Sequence, residues 1–281
     1  MLGEGSGVVK HRSRDRVLDV PSDERRHAIE AARAAGHLLR EALSGPRRVS
    51  FKGSPTNLVT EMDARAERLV FDRLREAFPD DASLGEEGGT RPGRSGRRWI
   101  VDPLDGTTNY AHGLPIFGVS IALETAGRVV LGVVYDPNRD ELFVAERGAG
   151  AVLNERPLAV SATATLDESL VATGFPYDVR GTPDNNLAEL AAFTVRAQGV
   201  RRIGSAVLYL AYVAAGRLDG YWELRLGPWD IAAGALLVEE AGGRVTDLAG
   251  DPIDIDAPRV VASNGKIHDE MLRVLAKVSG K

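Results

Sequence analysis

The chain has 281 residues, of which 43% are apolar and 27% charged, a profile typical of a globular enzyme of one large or two modest domains. The absence of cysteine excludes disulfides, thiol catalysis and cysteine–zinc sites, and a formal net charge of −5 speaks against a general nucleic-acid surface. The sequence contains neither a membrane-spanning apolar run nor a signal-peptide pattern, so we expect a cytoplasmic protein without membrane contacts.

The first part of the chain predicts a tail followed by two helices. Residues 1–21 are rich in glycine and charge without apolar periodicity, which predicts a flexible N-terminal tail. From Asp23 onward apolar residues recur every three or four positions, which is typical of an amphipathic helix. A second helix is predicted from Thr60, because Thr60 and Asp63 have the spacing of a capping box. The polar stretch 79–98 that follows predicts a loop.

The rest of the chain changes character near residue 157. Before it, strand-like segments at 98–102, 118–124, 128–136 and 141–145 predict an antiparallel meander. After it, strands near 169–173, 199–203, 218–223 and 258–262 alternate with helices near 184–196, 205–216, 229–241 and 266–278. Such alternation favours a layered α/β structure. We therefore expect one continuous domain over 22–281, with an α+β half at 22–156 and an α/β half at 157–281.

The segment from Trp99 to Tyr110 contains the most informative pair of carboxylates. An apolar run ends in Asp102, and Pro103 follows, which cannot extend a paired strand. Asp105 comes three residues after Asp102 and precedes a glycine and two threonines, where aspartate is a favoured helix N-cap. The arrangement predicts negative charge and free backbone N–H groups at one strand end. A hard divalent cation would bind to the carboxylates, and a phosphate would bind to the free N–H groups.

Two further acidic positions lie in similar surroundings. Glu86 belongs to a Gly-Glu-Glu loop, and Asp230 precedes a helix of small residues. If these two carboxylates converge with Asp102 and Asp105, they cannot all stay ionised without cations, and Mg²⁺ is the natural choice. Each residue alone is also consistent with a simple turn, a solvated loop or a helix cap. Their joint order along the chain favours a metal site.

At these residues the sequence resembles the inositol monophosphatase family of metal-dependent phosphomonoesterases. The similar segments are 57–63, 85–87, 99–123, 173–176 and 229–243. The resemblance implies an αβαβα sandwich like that of fructose-1,6-bisphosphatase, a layered α/β (α+β) fold. It also implies a lithium-sensitive homodimer that hydrolyses myo-inositol monophosphate by metal-activated water.

The resemblance also implies roles for individual residues. Two or three Mg²⁺ ions would be held by Glu86, Asp102, the carbonyl of Leu104, Asp105 and Asp230. Catalysis would involve Glu86, Thr107 and Asp105, with Thr107 and Glu86 orienting the attacking water. The substrate would contact Asp105, Gly106, Thr107, Ser205, Ala206, Glu223 and Asp230. Asn57 departs from the aspartate of many family members, which would weaken a water-mediated contact to the metals.

Alternative functions share parts of this pattern. The haloacid dehalogenase class needs two aspartates two residues apart, and the spacing of three between Asp102 and Asp105 excludes its covalent mechanism. Relatives of the same fold act on fructose 1,6-bisphosphate, histidinol phosphate, phosphoadenosine phosphate or NADP, and these substrates stay open for this chain. A non-catalytic sugar-phosphate-binding module is a further alternative. The arginine-rich loop Arg91–Arg98 predicts a solvated surface or an aid to anionic ligands.

Overall fold

The computed structural model describes residues 22–45, 48–52, 56–257 and 259–278, so the tail predicted at 1–21 lies outside them. The helices in these ranges are α1 (Asp23–Ala42), α2 (Glu61–Ala77), α3 (Thr107–Ala111), α4 (Leu187–Thr194), α5 (Ala206–Ala214), α6 (Pro228–Glu240) and α7 (His268–Val278). The strands are β1 (Val49–Phe51), β2 (Leu58–Thr60), β3 (Ala82–Gly85), β4 (Gly89–Arg91), β5 (Arg97–Asp105), β6 (Gly118–Thr125), β7 (Arg128–Asp136), β8 (Glu141–Glu146), β9 (Gly150–Leu153), β10 (Arg156–Pro157), β11 (Leu170–Thr173), β12 (Gly199–Arg201), β13 (Gly220–Leu224), β14 (Arg244–Thr246) and β15 (Arg259–Ser263).

The first sheet has eight strands in the order β10-β9-β8-β7-β6-β5-β3-β4. Strands β5 to β10 form an antiparallel meander, whereas β3 runs parallel to β5. Successive side chains alternate between two apolar layers, as the pleat requires. Val101 of β5 packs with α1 and α2, and its neighbour Ile100 packs on the opposite face with α5 and α6. The sheet therefore lies between two helix pairs.

The second sheet has five strands in the order β12-β11-β13-β15-β14. Tyr221 of β13 packs against the layer of α5 and α6, and its neighbour Trp222 packs with residues of α4 and α7. Helices α5 and α6 are apolar around most of their circumference because a sheet covers them on both sides. The layers thus run helix, sheet, helix, sheet, helix, as the family resemblance implies.

Close approach of α6 to the first sheet depends on a glycine. A Cβ at Gly132 in β7 would lie 2.7 Å from the carbonyl oxygen of Ala233, so any side chain there would push α6 away. This approach matters for the site because α6 begins with the residues that carry Asp230.

Several short elements were not predicted from the sequence. The stretch 79–98, predicted as a loop, contains β3 and β4, and the short strands β1 and β2 pair with each other in antiparallel orientation. Strands of three or four residues are too short to show the alternation of apolar and polar residues that identifies a strand. The arginine-rich loop is tied down by ion pairs, with Arg94 at 2.8 Å from Asp80 and Arg97 at 3.0 Å from Asp81. No helix in the described part of the chain is long and apolar enough to cross a membrane.

Candidate active site

Three carboxylates from two layers converge on one point. Asp102, Asp105 and Asp230 each offer an oxygen, and these atoms lie within 4.8 Å of one another. Asp102 and Asp105 come from β5, and Asp230 comes from the first turn of α6, where its carboxylate accepts a hydrogen bond of 2.6 Å from the backbone N–H of Gly227. The first sheet and the central helix layer therefore build the site together.

A β-bulge lets both carboxylates of β5 face the same side. Residues three apart in a regular strand point to opposite faces. Between Asp102 and Asp105, β5 advances three residues while its partner β6 advances two, from Ser120 to Gly118. The extra residue restores a common direction. The strand thus continues through Pro103 to Asp105, whereas the sequence predicted that the strand ends at Asp102.

The electrostatics of the group favour a bound cation. Burial and then the neighbouring carboxylates, with Glu86 first, raise the pKa of Asp102 well above its usual range. Burial and the charge of Asp105 do the same to the pKa of Asp230, and burial raises the pKa of Asp105 to about 6. Close carboxylates repel one another unless a positive charge lies between them. Three oxygen ligands of this kind fit a hard divalent ion such as Mg²⁺.

Asp105 is fixed in place by the N-terminus of α5. Its carboxylate accepts a hydrogen bond of 2.9 Å from the N–H of Val207 and another from the hydroxyl of Ser205. The N-cap of α3 is Gly106, at a φ of 100°, and not Asp105 as the sequence predicted. A Cβ at Gly106 would lie 3.0 Å from the carbonyl oxygen of Ile116, so the turn needs glycine.

Thr107 contacts a carboxylate that sequence reasoning did not assign to the site. Its hydroxyl oxygen lies 3.0 Å from Oδ1 of Asp63 and 3.1 Å from the carbonyl oxygen of Leu104. The other oxygen of Asp63 accepts the backbone N–H of Thr60 at 2.8 Å, which completes the predicted capping box. Asp63 is buried and therefore positions Thr107 while it caps α2.

Glu86 is near enough for its charge to act on Asp102 and Asp230, but it is not part of the close group of three carboxylates. Its carboxylate accepts a hydrogen bond of 3.1 Å from Nζ of Lys52, which the sequence analysis did not single out. Burial raises the pKa of Glu86 to about 7. Glu67 of α2 holds this loop by accepting the N–H of Glu87 at 2.9 Å and that of Gly88 at 2.7 Å.

Glu223 enters from the second sheet. The residue lies in β13, is 8% exposed, and has a pKa raised by burial to about 7. The hydroxyl of Tyr221 donates to its Oε2 at 2.6 Å. A Cβ at Gly174 would lie 2.1 Å from Oε1 of Glu223, which explains the glycine in the segment 173–176. Ser205 and Ala206 at the start of α5 lie against Asp105, and Glu223 is close enough to Asp105 for their charges to interact.

Comparison with known proteins leads to one family. The model of the inositol monophosphatase family matches residues 21–279. The chain belongs to the inositol monophosphatase family. The predicted family is therefore confirmed.

The chain is similar to individual members of this family over most of its length. It is 47% identical to the inositol-1-monophosphatase of Synechocystis sp., over 89% of this chain and 87% of that protein. It is 44% identical to the Nus factor SuhB of Pseudomonas aeruginosa, over 88% and 94% respectively. The crystal structure of the extragenic suppressor protein suhB from Bartonella henselae superimposes with a TM-score of 0.86 at 44% identity, over 91% of this chain and 99% of that one. This superposition confirms the layered α/β fold predicted for the family.

Proposed function

We propose that this protein is a Mg²⁺-dependent phosphomonoesterase that hydrolyses myo-inositol monophosphate to inositol and phosphate. The observation that carries the proposal is the convergence of Asp102, Asp105 and Asp230 beside the buried Asp63–Thr107 pair. The similarity to a protein named inositol-1-monophosphatase supports the choice of substrate.

The carboxylates would hold two or three Mg²⁺ ions. Asp102, Asp105 and Asp230 supply the close oxygen group, and Glu86 with the carbonyl of Leu104 would complete the ligands. When bound, Mg²⁺ neutralises the charge of the phosphate and acidifies water. Phosphoryl transfer depends chiefly on positioning and charge neutralisation, so no side-chain nucleophile is needed.

Thr107 and Asp63 would orient the attacking water. Asp63 accepts the hydroxyl hydrogen of Thr107, so the Thr107 oxygen is left as an acceptor for a hydrogen of the water. The backbone N–H groups at Gly106 and Thr107, at the start of α3, would bind the phosphate. On the alcohol side, Glu223 would accept a substrate hydroxyl, and Ser205 with Ala206 would line the pocket.

Replacing Asp105 by asparagine tests the metal assignment. The substitution D105N keeps the size of the side chain and an acceptor for the N–H of Val207, but it removes one of the three converging charges. We expect kcat/KM for phosphate release to fall about 10³-fold, the size of effect expected when a charge-stabilising group is lost. Phosphate release in MgCl₂ is the measurement, with D256N at an exposed ion pair as the matched control. A folded D105N with nearly normal turnover would contradict the proposal.

The substrate is tested by a panel. Values of kcat/KM for inositol monophosphate are compared with those for fructose 1,6-bisphosphate, histidinol phosphate, phosphoadenosine phosphate and NADP. A higher value for any of these would replace the proposed substrate, and no turnover of any of them would favour a binding module. The family resemblance also supports lithium sensitivity and a homodimer, which LiCl titration and sedimentation would test.

A further inference from the structure

The carboxylate on the alcohol side has one of its two oxygens committed to a buried tyrosine. We propose that Tyr221 is a positioning residue, which holds Glu223 so that Oε1 is presented to a substrate hydroxyl near the phosphate. The proposal rests on the proposed function, because it concerns how the same site selects hydroxylated phosphomonoesters.

The contact between the two side chains is short and buried. Tyr221 and Glu223 are two residues apart in β13 and therefore point to the same face of the strand. The tyrosine hydroxyl donates to Oε2 at 2.6 Å, and Tyr221 is fully buried. Among the described residues, no other side chain or backbone group donates to Glu223. One oxygen is thus occupied, and Oε1 is left to accept a hydrogen bond.

Tyr221 is itself held by a contact chain that reaches the candidate metal ligands. Its ring stacks on Tyr209, with 5.1 Å between ring centroids. The hydroxyl of Tyr209 accepts the N–H of Gly204 at 2.9 Å, and the adjacent Ser205 donates to Asp105. The direction of Glu223 is therefore fixed relative to Asp105 by packed side chains and backbone.

Gly174 packs against the same carboxyl group. Its missing Cβ would lie within about 2 Å of both carboxylate oxygens, so the glycine backbone packs directly against the carboxyl group. With Oε2 bonded to the hydroxyl of Tyr221 and the Gly174 backbone against the carboxyl group, Glu223 has little room to rotate. A carboxylate that is already oriented loses less conformational entropy when it binds a hydroxyl, which favours recognition.

The substitution Y221F removes only the hydroxyl. For inositol monophosphate we expect KM to rise about 10-fold while kcat stays within about twofold, because hydroxyl recognition is present in both the bound and transition states. For p-nitrophenyl phosphate, whose aryl group carries no hydroxyl, both constants should stay unchanged. Titration of myo-inositol into the protein should show a similar loss of affinity, which gives a readout independent of turnover.

Two further variants make the test specific. Y135F is the matched control, because Tyr135 is another buried tyrosine whose hydroxyl donates to a carboxylate, that of Asp140, outside the site. In an E223A background, Y221F should add no further loss, since its effect passes through Glu223. An equal loss for both phosphomonoesters, or additive effects in the double variant, would overturn the inference.

A failure of the proposed function would give a different experimental result from a failure of the inference about Tyr221. If the wild type prefers another polyol or nucleotide phosphate of the panel, the substrate proposal fails, and Y221F is then measured on that compound with the same expected selectivity. If the wild type shows no preference for any hydroxylated substrate over p-nitrophenyl phosphate, the inference about Tyr221 is overturned as well.

Discussion

The two oxygens of Asp63 contact different parts of the protein. One completes the capping box of α2, and the other accepts the hydroxyl of Thr107. A single buried carboxylate therefore joins the start of a helix to the residue proposed to orient water. Its pKa is raised by burial, and the hydrogen bonds from Thr60 and Thr107 oppose that rise. Loss of either donor would raise the pKa of Asp63 further.

Thr107 gives a direct test of this pair. We expect T107V to lower kcat about 100-fold with little change in KM, because it removes a hydroxyl that assists proton positioning. T107S keeps the hydroxyl and should retain most of the activity. The measurement is steady-state phosphate release, with circular dichroism as the check on folding. Equal activities for the two variants would show that the hydroxyl of Thr107 is not used.

The sequence could indicate these residues only partly. Asp102 and Asp105 stand out because they follow an apolar run, and the structure brings them together with Asp230. Asp63 is already explained as the capping residue of α2. Its contact with Thr107, which lies 44 positions further along the chain, produces no recognisable spacing in the sequence. Lys52 is similarly distant from Glu86 and directly follows β1, a strand of three residues that is too short to show periodicity.

For helices and strands, the accuracy of prediction depended on the length of the element and on the periodicity of its apolar residues. Long helices such as α1 and α2 show clear apolar periodicity and were predicted close to their observed starts. The strand β5 was predicted to end before Pro103, because proline cannot donate to a ladder. The bulge removes that conflict, since the residues between Asp102 and Asp105 have no paired partners on β6. Only the three-dimensional pairing reveals such an exception.

A buried histidine ties α7 to the second sheet. His268 begins α7, is fully buried, and lies 2.9 Å from the hydroxyls of both Ser263 and Thr246. Burial lowers its pKa to about 4, so the folded protein keeps this ring neutral under mildly acidic conditions. Because an unfolded histidine binds a proton near pH ~6.5, the unfolded state gains protons first as the pH falls.

This difference predicts a pH-dependent stability. The contribution of His268 is complete above about pH 6.5 and is lost between there and about pH 4, with an upper limit of about 3 kcal/mol. Urea unfolding of the wild type and H268Q at pH 7.5 and pH 5 measures it. We expect the wild type to lose more stability than H268Q over this interval. Parallel losses in the two proteins would contradict the assignment.

Across the whole molecule, the site lies where the layers meet. Asp102 belongs to the first sheet, Asp230 to the central helices and Glu223 to the second sheet. We propose that residues 22–281 form one domain with halves at 22–156 and 157–281, because neither half alone carries the complete group. The alternation of strands and helices predicts only a layered second half, and the order of layers was implied by the family resemblance; which strand ends face one another depends on packing between distant segments.

Cation binding should therefore stabilise the molecule as a whole. A ligand that binds only the folded state adds about 2.7 kcal/mol at a concentration about 100 times its Kd. We expect MgCl₂ to raise the Tm of the wild type in one cooperative transition. KCl at matched ionic strength should not do so, and D230N should lose the shift. A similar shift in D230N would show that the ion binds elsewhere.

The bulge in β5 makes the site depend on the number of residues in the strand as well as on their identity. Removing Pro103 or Leu104 would leave both aspartates in the chain, yet it would return β5 to a regular pleat. Asp102 and Asp105 would then be two apart, as Ser120 and Gly118 are on β6, so both pairings and their common face would be kept, while the bulge that sets the carbonyl of Leu104 between them would be lost. The separation of the two carboxylates and the position of the Leu104 carbonyl therefore depend on one extra residue in β5 as well as on the ligands themselves, a dependence that percentage identity does not reveal.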